Sequence, residues 1–136
     1  VTVLRAKGRE TVLLVDDEPL LRQTSRDVLR KLGYSILEAT SGDEALRIFE
    51  EKKDQIDLVI LDMVMPGMDG SDLFEGLKAI EPQVNTLVLS GFGSEEDIHD
   101  MMNRGCGGFI MKPYDIEQLS QRIREILDRP GRVGPR

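Results

Sequence analysis

The sequence has no tryptophan, a single cysteine, a single histidine and no apolar run longer than four residues. Each scarcity removes a class of protein. Cys106 alone can make neither an internal disulfide nor a cysteine-rich zinc site, so nothing calls for an oxidising compartment. His99 alone excludes a His-rich metal centre, and a Ser-His-Asp triad would have to be built around that one ring. The longest apolar runs, residues 12–15 and 58–61, fall far below the ~20 residues of a membrane-spanning helix, and no signal peptide is visible. A cytoplasmic protein without membrane insertion is expected.

What the chain does have is charge, unevenly placed. Residues 11–128 carry a net −12, whereas the two ends carry +5. An acidic body with six aromatic residues lacks the basic stripe and stacking platforms of nucleic-acid binding, so it should attract cations instead. At 136 residues with 40% hydrophobic and 32% charged residues, the chain is an ordinary single globular domain with a core of its own.

Apolar runs and turn residues alternate in one order, strand then helix, five times. Residues 11–15, 34–38, 57–61, 84–89 and 108–111 read as strands. Between them, Leu21, Thr24, Val28 and Leu32 share one helical face, as do Leu119, Ile123, Ile126 and Leu127 in the last helix. Ser41 with Glu44, Ser94 with Asp97 and Asp115 with Gln118 have capping-box spacing or a near variant, and Pro19 suits a first helical position. Gly33 and Gly105 fall where the first and fourth helices should stop. Strands alternating with helices imply right-handed crossovers and a doubly wound five-stranded parallel sheet with five helices. Residues 1–10 read as an N-terminal linker or tail, 11–128 as the domain and 129–136 as a C-terminal tail. The opening Val1 suggests a piece of something longer.

In such a sheet, ligands bind beyond the carboxyl ends of the strands. Strand one ends in Asp16-Asp17-Glu18, strand three in Asp62, strand four in Ser90-Gly91 and strand five in Lys112-Pro113. Singly, each has an ordinary structural explanation: Asp17 or Glu18 caps a helix, Asp62 opens the Met65-Pro66-Gly67 turn, Ser90 makes a local turn and Lys112 is solvated. Together they make a pattern. Three carboxylates brought close repel unless a cation neutralises them, and Mg²⁺ accepts an all-oxygen site while keeping several waters. A carboxylate nucleophile beside a metal, a hydroxyl and an ammonium suits phosphoryl transfer.

These motifs, Val-Asp-Asp-Glu at 15–18, Leu-Asp-Met-Val-Met-Pro-Gly-Met-Asp-Gly at 61–70, Ser-Gly at 90–91 and Gly-Phe-Ile-Met-Lys-Pro at 108–113, resemble the receiver domain of two-component response regulators. The resemblance implies a flavodoxin-like strand order 2-1-3-4-5. It also implies that Asp62 is the phosphorylated aspartate, and that Asp17 and Asp62 ligate Mg²⁺ directly. Asp16 would act through water, and Val64 would add its backbone carbonyl. Ser90 and Lys112 would hold phosphoryl oxygens, and Ser90 with Phe109 would form the switch that alters the surface of helix four, strand five and helix five. Pro113 would follow a cis peptide bond from Lys112. A histidine kinase or histidine phosphotransfer domain would be the donor. On this reading the chain is no conventional enzyme: it catalyses its own aspartyl phosphorylation and slow dephosphorylation.

Competing chemistries are absent from the letters. There is no Walker-type loop, and the Gly-x-Gly start at Gly91-Phe92-Gly93 meets Glu96 where a third glycine belongs. A haloacid-dehalogenase-type phosphatase wants a second aspartate two residues after its nucleophile, and Val64 stands there. A binding module whose acidic pocket never turns over is the alternative from another class. Apolar Val64 and Phe92, which border the approach of water in the family, should limit water access and prolong the phosphoryl group's life. Phe109, lacking a tyrosine hydroxyl, should favour burial. Cys106 reads as a small buried residue, His99 as solvated, Met63, Met65 and Met68 as packing, and Met101 with Met102 as an adaptable contact surface. The spelling around Gly8 to Glu18 resembles receivers at the C-terminus of hybrid sensor kinases. A receiver joined to an output domain and a free-standing regulator stay open as settings.

Overall fold

The computed structural model describes residues 8–63, 65, 67–91 and 95–129. Five strands, β1 (Thr11–Val15), β2 (Ser35–Ala39), β3 (Leu58–Asp62), β4 (Thr86–Ser90) and β5 (Gly108–Met111), form one parallel sheet in the order β2-β1-β3-β4-β5. The helices are α1 (Pro19–Lys31), α2 (Gly42–Lys52), α3 (Gly70–Ile80), α4 (Glu95–Asn103) and α5 (Ile116–Leu127). This is the doubly wound fold expected from the alternation.

Because strand side chains alternate between faces, the consecutive apolar residues of β1 and β3 feed two separate cores. Val12, Leu14, Leu58, Ile60, Leu87 and Leu89 pack under α1 and α5, against Leu29, Leu119, Ile123 and Ile126. Leu13, Val15, Val59, Leu61 and Val88 face the other way, toward Phe49 of α2, Leu73, Phe74 and Leu77 of α3, and Ile98 and Met101 of α4.

Helix ends follow local chemistry. Pro19 opens α1. Asp115 and Gln118 form a reciprocal capping box on α5. Ser41 accepts from Glu44 N–H, but Glu44 returns its bond to Thr40 rather than to Ser41. The expected cap at Ser94 lies outside the described residues. Gly33 and Gly105, both at φ +103°, end α1 and α4. At each, the glycine N–H and the next N–H reach back to helix carbonyls: Gly33 to Arg30 and Tyr34 to Leu29, Gly105 to Met102 and Cys106 to Met101.

Strand bounds differ from expectation by one or two residues. Tyr34 is spent closing α1, so β2 starts at Ser35. Val84 N–H bonds Glu81 in a turn, so β4 starts at Thr86. At the other end, pairing runs past the apolar letters to include Asp62 and Ser90, because the ladder is backbone and ignores side-chain polarity. Near the termini, Gly8 N–H donates to Leu32 and Arg129 to the Gly107 carbonyl.

Candidate functional site

The sheet's carboxyl edge gathers Asp16, Asp62, Ser90 and Lys112. Register does this: Asp62 is opposite Leu89, one residue before Ser90, and Ser90 is opposite Met111, one residue before Lys112. Lys112 N–H donates to the Ser90 carbonyl at 2.7 Å, and its side chain crosses to Asp62, with Nζ 2.9 Å from Oδ2. The Lys112-Pro113 peptide is cis.

The site is deeply buried for such polar groups: Asp16, Asp62 and Ser90 are 3%, 7% and 0% exposed. Burial pushes the Asp16 carboxyl above the ordinary range, and the charges of Asp62 and Asp17 push the same way. The Glu18 N–H and the Lys112 ammonium oppose them. Burial alone would lower the Lys112 ammonium, but its hydrogen bond to Asp62 and the charges of Asp62 and Asp16 raise it above its usual value. These carboxylates and one ammonium therefore act on one another electrostatically, as expected from their placement at strand ends. Asp17 is half-buried beside them.

The simpler reading of Asp17 or Glu18 as a side-chain cap does not hold, because Glu18 occupies the N-cap position of α1 without a side-chain cap bond. Asp16 instead accepts from Glu18 N–H at 2.9 Å. Ser90 Oγ donates to the Gly91 carbonyl at 3.1 Å. Phe109 is half-buried, at the margin of the core that contains Ile98 and Met101. Val64 and Phe92 lie outside the described residues. Among the described residues, no three His, Cys, Asp or Glu side chains are grouped closely enough to hold a metal by themselves. The donor chemistry that is present, carboxylate oxygen in a buried acidic pocket, would suit a hard cation able to complete its shell with water and carbonyl.

Beside the site, a cavity of about 410 Å³ opens between α1 and the start of α5, lined by Asp16 and Lys112 together with Leu21, Val28, Pro113 and Leu119. On α1, Leu20 and Leu21 are 73% and 51% exposed.

Residues expected to be structural behave as such. Cys106 is buried, its thiol donating to the Gly108 carbonyl and pushed up in pKa by burial. Met63 and Met65 are in the core with Met68 against it, and His99 is exposed. The expectation for Met101 is corrected: it is fully buried under α4, while Met102 is exposed. Helical period places adjacent residues about 100° apart, so the two methionines cannot share a face. Contacts missed from sequence include the Asp69 cap on α3, which accepts from Asp72 N–H, and the bond from Arg22 to the Asp16 carbonyl. An acid three residues before another at a Gly-Ser helix start was the available signal for the first.

The family profile described as "Response regulator receiver domain" matches residues 12–124. The chain belongs to this family. It is a phosphoacceptor domain of two-component signalling. Among curated relatives, it is 36% identical over 122 residues to the sensor kinase CckA of Brucella abortus, covering 90% of this chain and 13% of that protein. It is 31% identical over 118 residues to sporulation initiation phosphotransferase F of Bacillus subtilis, covering 87% of this chain and 94% of that one. The chain thus spans about an eighth of the first relative and nearly all of the second. A response regulator receiver domain from Clostridium thermocellum superposes with a TM-score of 0.86 at 33% identity, covering 88% of this chain and 95% of that one. A CheX-CheY-BeF3-Mg+2 complex from Borrelia burgdorferi gives 0.81 at 28%, covering 86% and 88%.

Proposed function

We propose that Asp62 of this receiver takes a phosphoryl group from a phosphohistidine of a kinase or phosphotransfer domain. The observation that carries the assignment is the Lys112 Nζ to Asp62 Oδ2 contact of 2.9 Å, beside buried Asp16 and Ser90. An Asp62 oxygen attacks phosphorus in line, an O–P bond forms, the P–N bond breaks and its electron pair returns to the imidazole. Lys112 then serves the new phosphoryl oxygens with the ammonium that now pairs the carboxylate. Ser90 turns its hydroxyl from the Gly91 carbonyl to another oxygen, and Phe109 follows into the space behind it.

Mg²⁺, when bound, supplies positive charge to the phosphoryl oxygens and the acidic residues. Asp17 and Asp62 are assigned as direct ligands, Asp16 through water and Val64 through its carbonyl. The magnesium in the Borrelia CheY complex and the buried all-oxygen donors here support this.

The surface assigned to the donor is the exposed Leu20 and Leu21 of α1 with the adjoining cavity, because that cavity is lined by Asp16 and Lys112 of the site. Turnover is confined to the chain's own side chain, so it is not a conventional enzyme. Residues 11–128 are taken as the functional unit. The match to a sensor kinase supports a hybrid-kinase setting in the cytoplasm; an attached output domain and a free-standing regulator are the other settings, and the sequence flanking these residues tests all three.

With acetyl phosphate and Mg²⁺, intact mass should show one added phosphoryl group, lost in Asp62→Asn. Unchanged labelling of that variant overturns the assignment. Mg²⁺ uptake without phosphoryl uptake from any donor favours the binding module instead.

A further inference from the structure

Arg22 is a half-buried cation of α1 that no part of the phosphoryl chemistry above uses. Its side chain is 14% exposed, and its fork joins three elements. Nε donates to Glu38 of β2 at 3.1 Å, while Nη1 donates to the backbone carbonyl of Asp16 at 3.0 Å. Glu38 is held in turn by Arg26, at 3.2 Å.

The bond to Asp16 is placed where it governs the acidic pair. The β1 ladder ends here: Asp16 N–H still donates to Ala39 at 3.1 Å, and beyond it the chain must turn into α1. A peptide unit is planar, so fixing the Asp16 carbonyl oxygen also fixes Asp17 N and the direction in which Asp17 leaves the strand. With Asp16 Oδ1 tied to Glu18 N–H, the turn is pinned on both sides of Asp17. The pinning matters because the charges of Asp62 and Asp17 both act unfavourably on Asp16, and Asp17, the most exposed of the three, has solvent on its other side.

We infer that Arg22, held by Glu38, is a positioning residue: by gripping the Asp16 carbonyl it keeps the β1-α1 turn closed, so that Asp16 and Asp17 face Asp62 and bind Mg²⁺. This rests on the cation reading given above. Geometry and charge predict opposite signs. Removing a positive charge near an acidic pocket should by Coulomb's law tighten cation binding, whereas loss of positioning loosens it. Lysine keeps the charge, and with it the pairing to Glu38, but carries no second nitrogen where Nη1 reaches the carbonyl.

The test measures Mg²⁺ affinity by NMR titration, and melting temperature in a chelator, for the wild type, Arg22→Met and Arg22→Lys. The expected result is a loss of affinity of roughly tenfold in both variants, the size typical of residues that orient metal ligands, with Arg22→Lys melting close to the wild type. Unchanged or tighter binding by Arg22→Met overturns the inference. If Arg22→Met unfolds, Arg22→Lys decides, and wild-type affinity in it also overturns the inference. A merely structural Arg22 would lower the melting temperature without changing affinity. A wild-type chain that takes up no Mg²⁺ refutes the cation reading itself, and the inference with it; that result is read before any variant is compared.

Discussion

At the scale of single residues, the site is a set of opposed charges that are buried or half-buried. Asp62 is paired with Lys112, and Asp16 is buried with its carboxyl pushed up. Asp17 differs from both in being half-exposed, and its charge acts unfavourably on Asp16. Asp17→Ala should therefore weaken Mg²⁺ binding by at least roughly tenfold while leaving melting in a chelator level or slightly higher, because it removes a like charge and no helix cap. Titration and thermal melts check both halves, and a large fall in chelator-melting temperature would show that the side chain holds the turn. The residues Asp16, Asp62, Ser90 and Lys112 were legible because each is the polar letter that ends an apolar run. Arg22 was not, because its partners are a backbone carbonyl and a glutamate 16 positions away, and neither spacing nor period marks which surface arginine meets them.

At the scale of elements, strand cores and helix faces were legible from period, while ends were set by bonds that side-chain letters do not report. Apolar runs stop at Leu61 and Leu89, yet pairing carries Asp62 and Ser90 into β3 and β4, which fixes their backbones rigidly. The Gly33 corner was legible as a helix stop but not as a junction. There the left-handed backbone also brings the Gly8 carbonyl within 2.2 Å of where a β-carbon would stand, and Gly8 N–H bonds Leu32. Gly33→Ala should cost about 2 kcal/mol or more, since both the dihedral strain and the displaced residue 8 must be accommodated. By contrast, Asp115→Ala should cost about 1 kcal/mol, the usual value of an N-cap. Urea melts of the two variants would separate them, and equal losses would show that the Gly8 contact carries no weight.

At the scale of the whole molecule, long-range ties join parts that sequence cannot pair. Glu10 and Arg124, 114 positions apart, meet at 2.7 Å, with Tyr34 and Asp128 on the same guanidinium. Burial alone would raise the Glu10 carboxyl, but its bonds to Arg124 and to backbone N–H groups outweigh that and lower it below the ordinary carboxylate range. A lowered folded pKa means that the tie stabilises above the unfolded value and is lost as pH falls through the folded one. Glu10→Gln should thus be less stable than the wild type at neutral pH, with the gap closing below roughly pH 4. Melts across pH test this, and a gap that persists in acid would refute it.

The two cores give the molecule a second asymmetry, with a consequence for signalling. Phe109 borders only the core under α2, α3 and α4, whereas α1 and α5 sit on the other one, and the sheet separates them. A change at Ser90 that draws Phe109 inward should therefore reach Ile98 and Met101 of α4 and leave Leu29, Ile123 and Ile126 in place, which narrows the switch surface expected of helix four, strand five and helix five to its α4 side. On α4 itself the effect should be graded. Its C-terminal end is held to α3, where Arg104 pairs with Glu75 and donates to Ser71, and Lys78 donates to the Arg104 carbonyl at 2.9 Å. Its first turn, Glu95, Glu96 and Asp97, is exposed. Beryllofluoride with Mg²⁺, a phosphoryl mimic, should accordingly shift NMR signals most around Ile98 and least around Arg104, with the methyls of Ile123 and Ile126 close to their starting positions. Lys78→Met, which releases the Arg104 carbonyl, should extend the shifts to the C-terminal end of α4. Equal shifts in both cores, or an even change along α4 in the wild type, would mean that the sheet transmits the signal to both faces and that the α3 anchor does not restrain the helix.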